Sequence, residues 1–212
     1  LMVNRVTTDE WTSVRHDLSP YAGQRVTLRF GTFNDGRRGT SAMYVDEVRV
    51  GVREIRPTTM PTATDVPTRI PTWTPVPTST PTVVPTETPQ PSPTPPSPCI
   101  ELAANGSFEE DSGWAIANTP YRARYTSEVA YSGRRSMQLG IESADSDRLS
   151  YSSVGQRITV PGGHVATLRL QYVVPHAGGR GDYAYFVLRP PGGSWRTIRI
   201  VQDRVPEWQL LE

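Results

Sequence analysis

The sequence predicts an all-β fold that is interrupted by one long linker. Short runs of alternating apolar and polar residues recur through the 212 residues, and turns rich in Gly, Pro and Ser separate them. Residues 1–56 show no apolar repeat with the 3.6-residue period of a helix. Short strands with turns at this spacing are typical of a β-sandwich.

Residues 57–98 are predicted to be the linker because they hold 14 of the 21 prolines of the chain. Proline fixes φ and removes a backbone donor, so neither a helix nor an inner strand runs through such a segment. We expect a semi-rigid polyproline-II rod of roughly 3 Å per residue. The intervening Thr and Ser are typical of a mucin-like stalk, which favours an extracellular or cell-surface location. A loop inside one compact domain is the alternative, and the length argues against it.

Composition narrows the class of function. The net charge is +1, which argues against an electrostatic nucleic-acid binder. Cys99 is the only cysteine, so an internal disulfide and a cysteine-based metal site are both excluded. No apolar run is long enough to span a bilayer. The first residue is Leu1, and we expect both ends to be cuts from a longer protein.

The segment before the linker, residues 1–56, is too short to be a complete sandwich. Its predicted strands are residues 11–18, 25–30 and 42–50. The second strand alternates most regularly, with Val26, Leu28 and Phe30 on one face. Three strands cannot close a sandwich or cover two faces, so this segment is predicted to be part of a domain.

The segment after the linker, residues 99–212, carries more strands of the same kind. They are predicted at residues 100–104, 123–127, 136–139, 156–160, 166–174, 183–188 and 195–202. Alternation along the last three predicts these core residues: Leu168, Leu170, Tyr172, Ala184, Phe186, Leu188, Ile198 and Ile200.

The two ends of the chain share a short pattern. Arg204-Val-Pro-Glu-Trp208 lies near the C-terminus, and Asn4-Arg-Val-Thr-Thr-Asp-Glu-Trp11 lies near the N-terminus; each contains Arg-Val followed by an acidic residue and Trp. The similarity indicates a tandem repeat that is cut out of phase. Residues 1–56 would end one copy, and residues 99–212 would begin the next.

Three motifs after the linker carry a family resemblance. They are Asn105-Gly-Ser-Phe-Glu109 followed by Trp114, Ser132-Gly-Arg-Arg-Ser-Met-Gln-Leu139, and Gln156-Arg-Ile-Thr-Val-Pro161. Together they resemble the opening two-thirds of the galactose-binding-like jelly roll, which carbohydrate-binding modules of the cellulase- and xylanase-associated kind share. Residues 17–24, 26–30 and 44–48 resemble its closing third.

The resemblance implies a jelly-roll β-sandwich in two partial copies. Residues 1–56 would be the closing third of one module, and residues 99–212 the opening two-thirds of another. Joined in the order 101–212 then 11–56, they make one module of about the usual size. We therefore expect the two segments to complete one another, with the strands of the first pairing with strands of the second.

The same resemblance implies a structural Ca²⁺ site. Members of the family often hold the ion with the acidic residue of the Asn-Gly motif, carbonyls of the Ser-Gly loop and an Asp near the last strand. The corresponding residues here are Glu109, Gly133, Arg135 and Asp46. Carboxylate and carbonyl oxygens suit this hard cation. The alternative is that Glu109 and Asp46 are solvated or paired with arginine.

The faces opposite the predicted core carry aromatic and polar side chains. They are Arg29, Arg169, Gln171, Tyr183, Tyr185, Trp195 and Arg199. If their strands share a sheet, these side chains share a surface. Aromatic rings beside polar donors suit sugar binding, and the arginines favour acidic sugars. The alternative is an ordinary solvated sheet face with polar cross-strand pairs.

Two further features bear on ligand binding. The resemblance also implies ligand binding in loops at one end of the sandwich, where Trp114, Tyr121 and Tyr125 are candidates, although Trp114 also suits a core position. Arg180-Gly-Asp182 matches an integrin-type tripeptide, which we discount because three residues often match by chance.

These observations predict a non-catalytic, extracytoplasmic binding module for a glycan or cell-surface polysaccharide, within a larger secreted or surface protein. A structural spacer or adhesin repeat with no small-molecule ligand is the alternative. An enzyme is not expected, since the sequence contains no Gly-Xaa-Ser-Xaa-Gly, His-Glu-Xaa-Xaa-His or phosphate-loop motif. No pair of acidic residues can be argued to flank a glycosidic bond.

Overall fold

The computed structural model describes residues 11–37, 39–55, 99–143, 147–176, 178–179 and 181–202. The predicted linker, residues 57–98, and the repeated Trp208 lie outside these residues. The described strands are β1 (Thr12–Asp17), β2 (Arg25–Asp35), β3 (Ala42–Glu54), β4 (Ile100–Glu101), β5 (Ala115–Ile116), β6 (Arg124–Thr126), β7 (Ser136–Gly140), β8 (Leu149–Thr159), β9 (His164–His176), β10 (Tyr183–Arg189) and β11 (Arg196–Val201). Among the described residues, no helix is long and apolar enough to cross a membrane.

The strands form two antiparallel sheets. Sheet A has the order β1-β9-β3-β7-β6, with β4 also pairing with β3. Sheet B has the order β11-β10-β2-β8-β5. The prediction of an all-β fold is confirmed, and the two sheets have the arrangement of a β-sandwich.

Each sheet contains strands from both segments of the chain. In sheet B, β2 lies between β8 and β10, and in sheet A, β3 lies between β7 and β9. The described residues between 11 and 55 and between 99 and 202 accordingly belong to one compact unit. The predicted pairing of strands 25–30 and 44–50 with the C-terminal segment is confirmed.

One apolar core holds the inner faces of the sheets together. Phe30 from β2, Tyr172 from β9 and Phe186 from β10 are buried in it, and the Phe186 ring lies 5.5 Å from the Phe30 ring and 5.0 Å from the Tyr172 ring. The predicted core residues Leu28, Leu168, Leu170, Ala184 and Leu188 are buried as well. Burial of this apolar surface is the main favourable contribution to folding.

Strand β11 departs from the predicted alternation. A register shift between Phe186 and Val187 places Arg199 opposite the inward-facing Phe186, and Ile200 opposite Tyr185. Ile200 is consequently 51% exposed, and Arg199 lies 5.6 Å from the centroid of the Tyr172 ring with its Nε buried. The predictions that Ile200 is a core residue and that Arg199 faces outward are wrong, because a bulge reverses the side of every residue beyond it.

Candidate functional site

The outer face of sheet B carries four aromatic side chains arranged in a row, in which each ring contacts the next. Phe33 on β2 lies directly opposite Tyr151 on β8 and Tyr183 on β10. The Phe33 ring centroid is 4.8 Å from that of Tyr151 and 5.2 Å from that of Tyr183. Tyr185 continues the series, 6.0 Å from Tyr183. We call Tyr151, Phe33, Tyr183 and Tyr185 the aromatic row.

The period of two residues per strand produces the aromatic row. Val26, Leu28 and Phe30 face the core, so Phe33, an odd number of residues further along β2, faces outward. The same alternation separates Tyr183 and Tyr185 from the buried Ala184 and Phe186.

Tyr185 depends on a glycine in the neighbouring strand. Gly31 lies opposite Tyr185, and the position that a Cβ at Gly31 would occupy is already filled by the hydroxyl end of the Tyr185 ring. Any other residue at position 31 would therefore displace the ring. Burial raises the pKa of the Tyr185 hydroxyl, and the charge of Arg29 opposes this shift.

The aromatic row is accessible to solvent. Tyr151 is 54% exposed, and Phe33, Tyr183 and Tyr185 are each partly exposed. Two exposed apolar residues, Leu149 and Ile200, extend the apolar surface at its edges. A row of exposed rings with polar edges offers flat apolar surfaces for stacking and hydroxyl groups for hydrogen bonds.

Trp195 and two arginines lie on the same face, nearer to the start of β2. Trp195 precedes β11, and its ring centroid is 4.5 Å from the Arg29 guanidinium carbon and 4.7 Å from that of Arg189. Both arginines are exposed, whereas Trp195 is partly buried. The three side chains form a cation–π cluster in which one indole holds two guanidinium groups.

The structure brings together only part of the predicted sugar-binding set. Arg29, Tyr183, Tyr185 and Trp195 lie on the outer face of sheet B. Arg169 and Gln171 lie on β9 in sheet A, so the condition for one shared surface is not met for them. Arg199 belongs to sheet B but turns toward the core.

Two members of the aromatic row were missed by the sequence reasoning. Phe33 could have been found by continuing the alternation of β2 beyond residue 30. Tyr151 lies in β8, which spans Leu149–Thr159. The predicted strand covered only residues 156–160, so it did not include Tyr151. Serines at positions 150, 152 and 153 obscure the apolar alternation there.

The predicted calcium residues meet at a second place, the loop of residues 131–135. Asp46 is fully buried, and its Oδ2 accepts hydrogen bonds from the amides of Tyr131 (2.9 Å) and Ser132 (3.1 Å). Burial raises the pKa of the Asp46 carboxyl to about 6. Glu109 Oε1 accepts hydrogen bonds from the amides of Arg134 (2.7 Å) and Arg135 (3.0 Å).

The oxygen atoms at this loop, from carboxylates and backbone carbonyls, are of the kind that binds Ca²⁺. Gly133 has a φ of +64°, and a Cβ there would collide with the Glu109 carboxylate, so a glycine keeps the carboxylate close to the loop backbone. In the part of the chain that the structure describes, no three His, Cys, Asp or Glu side chains converge as a metal site. Ca²⁺ takes 6–8 oxygen ligands, so carbonyl oxygens such as those of Gly133 and Arg135 would have to join the two carboxylates.

The aromatic residues predicted to bind ligand in loops differ in their surroundings. Trp114 is 8% exposed and donates a hydrogen bond from Nε1 to the Asn105 carbonyl at 2.9 Å, which makes it a core residue. Tyr125 borders an open cavity of about 630 Å³, where its hydroxyl donates to the Ser112 carbonyl at 2.9 Å.

Asp182 of the Arg-Gly-Asp tripeptide is fully buried and accepts a hydrogen bond from the Asp35 amide, so its carboxylate cannot reach a receptor.

Comparisons of the chain with protein-family models, with curated proteins and with solved structures find no match. The chemistry of the described surfaces is therefore the basis on which a function is proposed.

Proposed function

We propose that this chain is a non-catalytic, extracytoplasmic binding module that holds a glycan on the outer face of sheet B. The observation that carries the proposal is the aromatic row, with rings in contact across three adjacent strands and Tyr151 54% exposed. The Thr/Pro composition of residues 57–98 supports the extracytoplasmic location, since it is typical of surface stalks.

A glycan suits the aromatic row because a sugar ring has an apolar face and a rim of hydroxyl groups. The rings would stack on the apolar face, and the Tyr hydroxyls and neighbouring arginines would bind the rim. The rings lie on strands rather than on loops, so the platform is held in place before binding and little ordering entropy is lost.

A structural spacer or adhesin repeat without a small-molecule ligand is the second candidate. It is favoured by the ring-to-ring distances of 4.8–6.0 Å, because cross-strand aromatic pairs stabilise a sheet even when nothing binds to them. In that case the aromatic row contributes to stability alone.

Two finer features are also proposed. The jelly-roll topology and the origin of the two segments in adjacent repeats rest on the sequence motifs, together with the two-sheet arrangement. A structural Ca²⁺ ion at the 131–135 loop rests on the approach of Glu109 and Asp46 to that loop from different segments of the chain.

The test is a binding measurement against a panel of soluble polysaccharides by affinity electrophoresis and calorimetry. Tyr151→Ala and Tyr183→Ala are expected to weaken the binding of the selected glycan by about tenfold each, which corresponds to about 1.4 kcal/mol. Tyr131→Ala is the matched control, because Tyr131 is also exposed but packs against Trp11, away from sheet B. The spacer alternative predicts no glycan binding and only a loss of stability in the first two variants.

A further inference from the structure

The outer face of sheet B divides along its strands into an aromatic half and a basic half. At the far end of β2 from Phe33, Thr27 lies opposite Arg157 on β8 and Arg189 on β10. Arg29 stands between these arginines and the aromatic row, and Arg25 lies beyond them on the same face. We call Arg25, Arg29, Arg157 and Arg189 the basic half.

Among the residues that the structure describes, the arginines of the basic half form no ion pair. In the described residues, the ion pairs within 4.0 Å involve Arg49, Arg124 and Arg135, none of which belongs to it. The residues between its arginines on the same face are uncharged, such as Thr27, Gly155 and Val187. Cross-strand pairs of opposite charge stabilise a sheet, and these four arginines form none among the described residues. Their positive charge therefore favours binding of an anionic ligand over a role in strand pairing.

The arginines of the basic half are partly ordered before any ligand binds. Trp195 lies 4.5 Å from the Arg29 guanidinium carbon and 4.7 Å from that of Arg189, while both arginines remain exposed. Stacking on an indole leaves the N–H groups at the guanidinium edge free to donate, and that edge matches the two oxygens of a carboxylate or sulfate. Gly155, opposite Arg29 on β8, adds no side chain beside it.

We infer that the ligand of sheet B is an anionic glycan whose carboxylate or sulfate groups bind the basic half while its sugar rings stack on the aromatic row. The inference rests on the proposed function and deepens it. Phe33 and Arg29 are four residues apart on one strand, or roughly 13 Å at about 3.3 Å per residue. One extended oligosaccharide chain lying along the strands therefore reaches both halves.

Matched pairs of polymers test the charge directly. Polygalacturonate is compared with its methyl-esterified form, and dextran sulfate with dextran, so that each pair shares a backbone and differs in charge. The two pairs also separate carboxylate from sulfate. We expect the charged member of at least one pair to bind at least about tenfold more tightly, with an affinity that falls as salt is added.

Variants assign the effect to the basic half. Arg29→Gln with Arg189→Gln is expected to bring the affinity for the charged polymer down to that for its neutral counterpart. Arg15→Gln with Arg53→Gln is the matched control, because both arginines are exposed on sheet A. Melting temperatures of both double variants check that the fold is intact.

The outcomes separate this inference from the proposed function. If a neutral glycan binds as tightly as its charged counterpart and the Arg29/Arg189 variant has no effect, the inference fails and the proposed function stands. If no polysaccharide of the panel binds, both fail. If single-stranded DNA competes as well as the charged glycan, the basic half is a general polyanion surface and the inference is overturned. If the charged glycan binds but Tyr151→Ala changes nothing, the role of the aromatic row is overturned instead.

Discussion

The buried carboxylate of Asp46 accepts a hydrogen bond of 3.1 Å from the amide of Ser132, which lies 86 positions later in the chain. Asp46 belongs to β3, in the segment before the predicted linker, and Ser132 belongs to a loop after it. Glu109 binds the other end of the same loop through the amides of Arg134 and Arg135. The Asp46 carboxylate thus links the two segments at this loop through hydrogen bonds, in addition to the apolar contacts of the core.

The first prediction concerns calcium at this loop. If the proposed ion binds there, Ca²⁺ at about 10 mM should raise the melting temperature, because a ligand that binds only the folded state stabilises it. EDTA should reverse the increase, and Glu109→Gln should abolish it. Glu110→Gln is the control, since Glu110 is exposed and makes no contact with the loop amides. An equal calcium response in wild type and Glu109→Gln would exclude this site.

The second prediction concerns the association of the two segments. A protease site placed between residues 57 and 98 allows the chain to be cut without touching the described strands. The pieces should then co-elute in size-exclusion chromatography, because removing β2 and β3 would open both sheets at their centres and expose the core. Separation of the pieces as two folded species, each with its own unfolding transition, would contradict the prediction.

The regular strands could be predicted from the sequence because each of them buries the side chains of one face and exposes those of the other. Leu28, Phe30, Leu170 and Phe186 are buried where alternation placed them, since a strand with one apolar face has one favourable register. The joining of the two segments could also be predicted, because neither contains enough strands to cover its own apolar faces.

The assembly of the aromatic row across three strands and the inward turn of Arg199 could not be read from local pattern. Phe33 and Tyr151 come together only through the register between β2 and β8, which depends on contacts remote in sequence. The bulge opposite Phe186 adds one residue to β11, and alternation alone contains no signal for it. Arg169 and Gln171 were misplaced for a related reason, because alternation identifies the face of a strand but not its sheet.

The third prediction tests the register of β11. Ile200→Ala should change the free energy of unfolding by less than about 0.5 kcal/mol, because the side chain is exposed beside Tyr185. Leu170→Ala should cost about 2–5 kcal/mol, since Leu170 is buried in the core. Both values follow from urea unfolding at neutral pH. Comparable losses in the two variants would mean that Ile200 faces inward.

The last prediction is a pH dependence that originates at Asp182. This residue is fully buried, and burial, followed by the nearby negative charges of Asp35 and Asp147, raises the pKa of its carboxyl. Between the ordinary pKa of about 3.9 and the raised one, the folded state binds more protons than the unfolded state, so stability decreases as the pH rises through this window. Below the window this contribution to stability is fully present, and above it the contribution is lost.

Asp182→Asn removes the titration while keeping an oxygen that can accept the hydrogen bond from the Asp35 amide at 2.6 Å. Its free energy of unfolding, measured against wild type by urea titration, should therefore improve as the pH rises from about 3.9 toward neutrality. Asp17→Asn is the control with the opposite sign, because hydrogen bonds from Ser19 lower the pKa of Asp17, so that its stabilising effect is lost on acidification. A difference between Asp182→Asn and wild type that stays constant across this range would show that Asp182 is ionised in the folded protein as readily as in the unfolded chain.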